Sequence, residues 1–99
     1  MVSATISVSI VMPAYNEAAN IETAIKKNIE TFDAKQVDYE ILIIDDKSTD
    51  ESITIIKNLA KENSKIRYIC HEYNQGPGEA FRTGIKHSEK EYVFFIGTF

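Results

Sequence analysis

The chain alternates short apolar runs with amphipathic stretches, and this alternation predicts a repeating strand-helix order. Apolar runs typical of β-strands cover residues 6–12, 41–44, 66–70 and 92–96. Pro13 should end the first strand, because proline has no N–H to donate to a neighbouring strand. The second run is continuously apolar, which indicates an interior strand of a parallel sheet that is covered on both faces.

The stretches between these runs have helical periodicity. A first helix is predicted from Asn16 or Ala18, with Ile21, Ile25, Ile29 and Phe32 on one face. A second helix is predicted over about 49–62, and a third from Pro77 to about Ser88. The order βαβαβαβ predicts an α/β, Rossmann-like fold, with a mainly parallel sheet and helices on both faces.

Two adjacent carboxylates, Asp45 and Asp46, follow the second strand directly. Ser48 and Glu51 have the spacing of a capping box, and Asp50 adds negative charge at the predicted start of the second helix. In open α/β sheets, ligands bind at the carboxyl ends of the strands. The pair therefore belongs either to a ligand site or to helix capping in a solvated turn.

Composition restricts the class of protein. The chain has 99 residues, of which 43% are hydrophobic and 26% charged, as expected for one small globular domain. Its net charge of −4 and its lack of a Lys/Arg cluster argue against nucleic acid as a partner. The single cysteine, Cys70, is predicted to be a buried structural thiol. Neither a signal peptide nor a transmembrane segment is recognisable, so a cytoplasmic location is expected.

The loops over residues 13–17, 45–50 and 73–78 and the carboxyl end of the fourth strand should meet at one edge of the sheet. Such a cavity suits a nucleotide, with Tyr15 against the base or ribose and Asp45 or Asp46 accepting hydrogen bonds. Because side chains alternate along a strand, both carboxylates need not face the ligand, and one of them is expected to orient the loop.

Other polar residues receive simpler interpretations. Gly76-Pro77-Gly78 lacks the spacing and position of a dinucleotide fingerprint. His71 and His87 are interpreted as exposed or capping residues, because no second ligand lies at metal-binding spacing. Arg82 is favoured as an exposed helical arginine, with contact to a phosphate as the alternative. No metal ligands and no catalytic residues are assigned in this chain.

Three segments together resemble the amino-terminal half of family 2 glycosyltransferases, which have the GT-A fold. They are Ser9 to Glu17, Tyr39 to Asp50, and Asn74 to Gly84. The resemblance covers nearly the whole chain, so residues 1–99 are expected to form the nucleotide-sugar-binding part of such a domain, truncated at its carboxyl end. It implies transfer of a sugar from a UDP- or GDP-sugar, with inversion, to an acceptor hydroxyl or phosphate.

The resemblance also implies roles for individual residues. Pro13, Ala14 and Tyr15 would line the base and ribose, with Glu17 near them. Asp46, with Asp45 beside it, would bond the base. The segment from Gly76 to Arg82 would border the diphosphate.

The family places an Asp-x-Asp motif, which holds Mg²⁺ or Mn²⁺, after the fourth strand, but here those positions are Gly97-Thr98-Phe99. Two explanations stay open: the metal ligands and general base lie beyond Phe99, which is favoured, or the motif is altered or shifted by a residue or more. These residues alone are therefore not expected to transfer sugar, because the general base and metal ligands are absent from them. The acceptor could be a polysaccharide, a lipid carrier or a protein glycan, as in cell wall or polysaccharide biosynthesis. Membrane association and homo-oligomerisation of the full protein stay open.

Two other classes compete with this interpretation. One is a non-catalytic module that binds a nucleotide or nucleotide sugar. The other is a receiver-like signalling domain, which is disfavoured because its acidic pair follows the first strand and its phosphoacceptor aspartate the third. Here the pair follows the second strand, and the third ends at Cys70-His71.

Overall fold

The computed structural model describes residues 6–97 and contains the predicted alternation of strands and helices. The elements are β1 (Ser7–Ala14), α1 (Ile21–Ala34), β2 (Asp38–Asp45), α2 (Ser52–Glu62), β3 (Ile66–Cys70), α3 (Pro77–His87) and β4 (Tyr92–Phe95). The strands form one sheet in the order β3-β2-β1-β4, and every neighbouring pair is parallel. The predicted α/β class is confirmed.

The sheet has helices on both faces, as predicted. One face packs against α1 and α2, and its core includes Ile10, Met12, Ile25, Ile41 and Ile56, all fully buried. The opposite face packs against α3 through a smaller cluster of Val11, Leu42, Ile44 and Ala80. Because β2 lies between β3 and β1 and is covered on both sides, its apolar run is continuous and not alternating.

β1 continues past Pro13 to Ala14, so the prediction that proline ends this strand is wrong. The Ala14 carbonyl accepts a hydrogen bond from the Asp46 N–H on the β2 side, whereas the Val11 carbonyl accepts from Ile96 on the β4 side. Successive residues of a strand point their backbone groups to opposite sides, so the nitrogen of Pro13 faces β4. It therefore limits pairing with β4 and leaves the pairing with β2 intact.

Two helices begin later than predicted. α1 begins at Ile21, not at Asn16 or Ala18, because Asn16 has a φ of 52° that no right-handed helix accommodates. α2 begins at Ser52, and its N-cap residue Glu51 makes no side-chain capping bond, whereas Asp50 Oδ1 accepts from the Ser52 N–H at 2.9 Å. The predicted capping box of Ser48 and Glu51 is therefore wrong.

Cys70 is exposed, which corrects the prediction of a buried thiol. It is the last residue of β3, and β3 is an edge strand of the sheet. An edge strand has a neighbour on one side only, so an apolar run there does not imply full burial.

A buried polar cluster joins the elements at the amino-terminal end of the sheet. The Glu40 carboxylate accepts hydrogen bonds from Ser9 Oγ at 2.6 Å, from the Glu89 N–H at 2.8 Å and from Arg67 Nη1 at 2.5 Å. The residue itself is only 4% exposed. This cluster ties the segment that follows α3 to β1, β2 and β3.

Within residues 6–97, none of the helices has the length and apolar character that crossing a membrane requires.

Candidate functional site

A cavity of about 370 Å³ opens at the carboxyl end of β1 and β2, beside the start of α3. It is lined by Pro13, Ala14, Tyr15, Glu17, Asp46, Asn74, Gly76, Pro77, Ala80 and Gly97. This position at the carboxyl edge of a parallel sheet is where open α/β folds bind ligands.

The structure brings together most of the predicted site residues. Six of them line the cavity: Pro13, Ala14, Tyr15, Glu17, Asp46 and Gly76. Asp45 and Arg82 do not. The Arg82 side chain is 79% exposed, and its Nε lies 3.5 Å from Glu79 Oε1 on the same helix.

Asp46 lies at the centre of the site and is only 4% exposed. Its Oδ1 accepts hydrogen bonds from His71 Nδ1 and from the Gln75 N–H, both at 2.8 Å. Its Oδ2 accepts from the Gly76 N–H, also at 2.8 Å. Asp46 thereby fixes the loop between β3 and α3 against the end of β2.

These contacts keep the Asp46 carboxyl ionised. Burial by itself would raise its pKa, but the hydrogen bonds from His71 and from the two backbone N–H groups outweigh burial, and the pKa is lowered. A buried carboxylate in this state accepts hydrogen bonds and cannot donate them. Asp46 is therefore suited to a ligand that presents an N–H or O–H group.

Asp45 has a different part in the structure, although it is adjacent. Its Oδ1 accepts from Ser48 Oγ at 2.6 Å and its Oδ2 from the Ser48 N–H at 3.0 Å. Because side chains alternate along a strand, Asp45 and Asp46 leave β2 on opposite faces. Asp45 orients the loop that follows β2, while Asp46 faces the cavity.

Asn16 joins the two loops that flank Tyr15. Its Oδ1 accepts hydrogen bonds from the N–H groups of Thr49 at 2.7 Å and Asp50 at 3.2 Å. Its own N–H donates to Ser48 Oγ at 2.9 Å. Asparagine tolerates a positive φ better than most residues, which explains why it occupies this position. The cross-link holds the β1 loop, and with it Tyr15, in a defined place.

His71 contradicts the prediction of an exposed or capping residue, because it is 7% exposed and directly bonded to Asp46. Its other ring nitrogen, Nε2, lies 2.7 Å from Thr83 Oγ1 on α3. The strand register, and not the sequence alone, locates it beside Asp46. Asp45 pairs with Cys70 in the parallel register, so the residues that follow them, Asp46 and His71, must be neighbours.

Asn74 lines the cavity, although the sequence assigned it no individual role. Its Nδ2 donates to the Asp46 carbonyl at 3.2 Å. It belongs to the loop over residues 73–78, which the sequence predicts to open on this edge of the sheet. Its location could therefore be predicted, but its hydrogen bond to Asp46 could not.

A divalent cation is implied by the family resemblance, and the described residues do not fit it. Within 6–97, no group of three or more His, Cys, Asp or Glu side chains could hold a metal ion. The hydrogen bonds of Asp46 to backbone N–H groups also mark it as an anchor for a loop, not as a ligand of a cation.

A parallel α/β sheet with a carboxylate-bearing cavity at its carboxyl edge defines the class of open α/β folds that bind ligands at this edge. The family is settled by sequence, because residues 9–97 match the model of glycosyl transferase family 2. The chain belongs to this family, and the resemblance stated from its motifs is confirmed.

Relatives in the family differ in their named substrates. The chain is 34% identical over 89 residues to a GalNAc(5)-diNAcBac-PP-undecaprenol beta-1,3-glucosyltransferase of Campylobacter jejuni, covering 89% of this chain and 28% of the relative. It is 34% identical over 90 residues to a poly(ribitol-phosphate) beta-glucosyltransferase of Bacillus spizizenii, covering 90% and 14% respectively. The chain thus spans about a quarter or less of these relatives.

Solved structures share the fold. S. aureus TarS 1-349 in complex with UDP superposes with a TM-score of 0.79 at 23% identity, covering 94% of this chain and 27% of that one. The mannosyltransferase PcManGT from Pyrobaculum calidifontis, in complex with GDP-Man and Mn²⁺, gives 0.79 at 23% identity, covering 92% and 27%. The GT-A fold predicted from the sequence is confirmed.

Proposed function

We propose that this chain binds the nucleotide of a nucleotide-diphosphate sugar and forms the donor-binding part of an inverting glycosyltransferase. The observation that carries the proposal is Asp46, a buried and ionised carboxylate at the wall of an open, largely apolar cavity. Apolar walls with few fixed polar groups are typical of sites for small organic ligands. Membership of the glycosyltransferase family makes a nucleotide sugar the ligand of choice.

Each cavity residue has a proposed part in donor binding. Pro13, Ala14 and Tyr15 contact the base and ribose, with Glu17 beside them, and Asp46 accepts a hydrogen bond from the base. Tyr15 is 47% exposed, so its ring is available for a base to stack on.

The diphosphate is proposed to lie near the first turn of α3 beside Gly76, where the N–H groups of Gly78 and Glu79 have no partner within the helix and favour anions. Arg82 is proposed at the outer border of that region, since it lies exposed on the same helix. Asp45 supports the base site indirectly, by ordering the loop after β2.

Sugar transfer needs groups that the described cavity does not supply. Any Mg²⁺ or Mn²⁺ would need ligands outside residues 6–97, and we assign no reaction step to it. We propose that this chain alone binds the donor without transferring sugar. It would act in the cytoplasm as part of cell wall or polysaccharide biosynthesis, on a membrane-linked or polymeric acceptor such as those in the names of its relatives.

The alternative is a module that binds a nucleotide or nucleotide sugar and has no catalytic part. One assay distinguishes the two functions. A longer protein that includes this chain should release UDP or GDP from a sugar donor in the presence of acceptor if it is an enzyme. Binding without release would support the module.

Calorimetry with UDP, GDP and their sugars tests donor binding itself. Tyr15→Ala should weaken binding by about 1 kcal/mol, the lower end for an aromatic ring stacked on a base. The matched control is Tyr73→Ala, because Tyr73 is 65% exposed and does not line the cavity. Equal affinities for the two variants, or no binding of any nucleotide by the unmodified protein, would contradict the proposal.

A further inference from the structure

His71 is buried with both of its ring nitrogens paired. Nδ1 lies 2.8 Å from Asp46 Oδ1, and Nε2 lies 2.7 Å from Thr83 Oγ1. An ionised carboxylate has no proton to give, so Nδ1 is the donor in the first contact. The Thr83 hydroxyl can donate to a neutral imidazole or accept from a charged one. The three side chains therefore stay connected in either protonation state of His71.

The oxygens of Asp46 differ in how many acceptor positions are filled. A carboxylate oxygen has two lone pairs. On Oδ1, His71 and the Gln75 N–H fill both of them. On Oδ2, within residues 6–97, the Gly76 N–H is the one protein donor. Gly76 lines the cavity, whereas His71 and Gln75 do not. The remaining acceptor position thus lies on Oδ2, the oxygen that contacts a cavity residue.

We propose that His71, held by Thr83, is a positioning residue that occupies Asp46 Oδ1, so that Asp46 offers the donor base a single hydrogen-bond acceptor and selects uracil over guanine. This inference rests on the proposed function. Uracil presents one ring N–H, at N3, between two carbonyls. Guanine presents two adjacent donors, N1–H and the 2-amino group, which would need two free acceptors. One of the guanine donors would therefore lose its partner.

Asn74 places a hydrogen-bond donor beside the free acceptor of Asp46. It lines the cavity, and one hydrogen of its side-chain amide is used on the Asp46 carbonyl. The second hydrogen of that NH₂ group is a donor beside the free Asp46 acceptor. A donor next to an acceptor complements the carbonyl next to N3–H in uracil and equally the carbonyl next to N1–H in guanine, so the preference for uracil depends on the acceptor count of Asp46 alone.

A panel of nucleotides tests the acceptor count on the unmodified protein. Isothermal titration should give UDP a Kd about tenfold lower than that of GDP, as expected when one donor is left unpaired. Inosine diphosphate, which lacks the 2-amino group, should bind at least as well as GDP, and 3-methyluridine diphosphate should lose about tenfold against UDP. GDP binding more tightly than both UDP and inosine diphosphate would overturn the inference. Failure of every nucleotide would instead overturn the proposed function on which it rests.

Variants of the histidine test its positioning role. His71→Asn keeps an N–H near the place of Nδ1 and should hold the Kd for UDP within about threefold, whereas His71→Leu should raise it about tenfold. Thr83→Val, which removes the Nε2 partner at little cost in volume, should give a smaller increase. Circular dichroism checks that each variant is folded. If His71→Leu is folded and binds UDP like the unmodified protein, or if His71→Asn fails to bind better than His71→Leu, His71 has no positioning role.

Discussion

Replacement of Glu40 by glutamine should destabilise the fold more than any change on the exposed surface. Glu40 is a buried carboxylate with three donors, from Ser9, Arg67 and the Glu89 backbone. Glutamine keeps one acceptor oxygen and places an NH₂ group against at least one of these donors. The change removes the charge as well as one charge-assisted hydrogen bond, which contributes about 1.5–3 kcal/mol.

The exposure of Arg67 limits this loss. Removing one partner of a fully buried ion pair costs about 3–5 kcal/mol, mainly because the other charge is left without solvation. The Arg67 side chain is 36% exposed, so water can solvate its charge in the variant. We therefore expect Glu40→Gln to lower the free energy of unfolding by about 2–3 kcal/mol at pH 7.

The effect should also depend on pH in a defined direction. Burial would raise the pKa of Glu40, but its three donors outweigh burial and the pKa is lowered. A carboxyl whose folded pKa is lowered stabilises the fold above its unfolded pKa, about 4.3 for glutamate, and this contribution is lost as pH falls through the folded value. The difference in the free energy of unfolding between the unmodified protein and Glu40→Gln should thus be largest at pH 7 and shrink below about pH 4.

Urea denaturation at several pH values measures this difference. Glu89→Gln is the matched control, because the Glu89 carboxylate faces the same Arg67 at 3.5 Å but is 68% exposed. Its loss should cost less than about 1 kcal/mol. Equal destabilisation by the two variants, or a Glu40→Gln effect that persists unchanged at pH 3, would refute the reasoning.

Two further variants test close packing and loop geometry. Gly84→Ala would place a Cβ 2.3 Å from Val11 Cγ1 and should destabilise the fold by about 1–3 kcal/mol, measured by thermal melts. The control is Gly78→Ala, whose Cβ would have nothing within 4 Å and should not destabilise the fold. Similar melting temperatures for the two variants would contradict this prediction. Asn16→Ala removes the acceptor for the Thr49 and Asp50 N–H groups and places alanine at a φ of 52°. It should reduce stability by about 1–2 kcal/mol and weaken nucleotide binding. An unchanged affinity for the nucleotide would show that this cross-link does not support the site.

Much of the fold follows from local patterns in the sequence. The apolar runs and helical stripes predicted the order of the elements and the parallel sheet, because each pattern reports on which faces of a segment are buried. The errors lie where long-range contacts decide the structure. Pro13 stays in β1 because its nitrogen faces β4, and α2 begins late because Asn16 binds the residues before it. Neither contact leaves a local pattern.

The candidate site was predictable by position and less so by contact. Their position at the end of β2 identified Asp45 and Asp46 as candidates. Which of the two faces the cavity depends on the path of the chain after the strand, and the sequence does not show that path. His71 was missed because a single histidine at a strand end has no local signature. Glu40 was missed for a similar reason: it is a charged residue beside an apolar run, and its partners are 27 and 31 positions away in the chain.

The most direct test of nucleotide binding at Asp46 is a titration of the ¹⁵N-labelled protein with UDP, followed by the amide resonances of individual residues. The Gln75 and Gly76 N–H groups donate to Asp46, so a base that binds this carboxylate must change their chemical shifts. We predict saturable changes at these two amides and at Tyr15. Changes that cluster instead around the separate cavity of Lys57 and Lys61, or none at Gln75 and Gly76, would contradict a nucleotide site at Asp46.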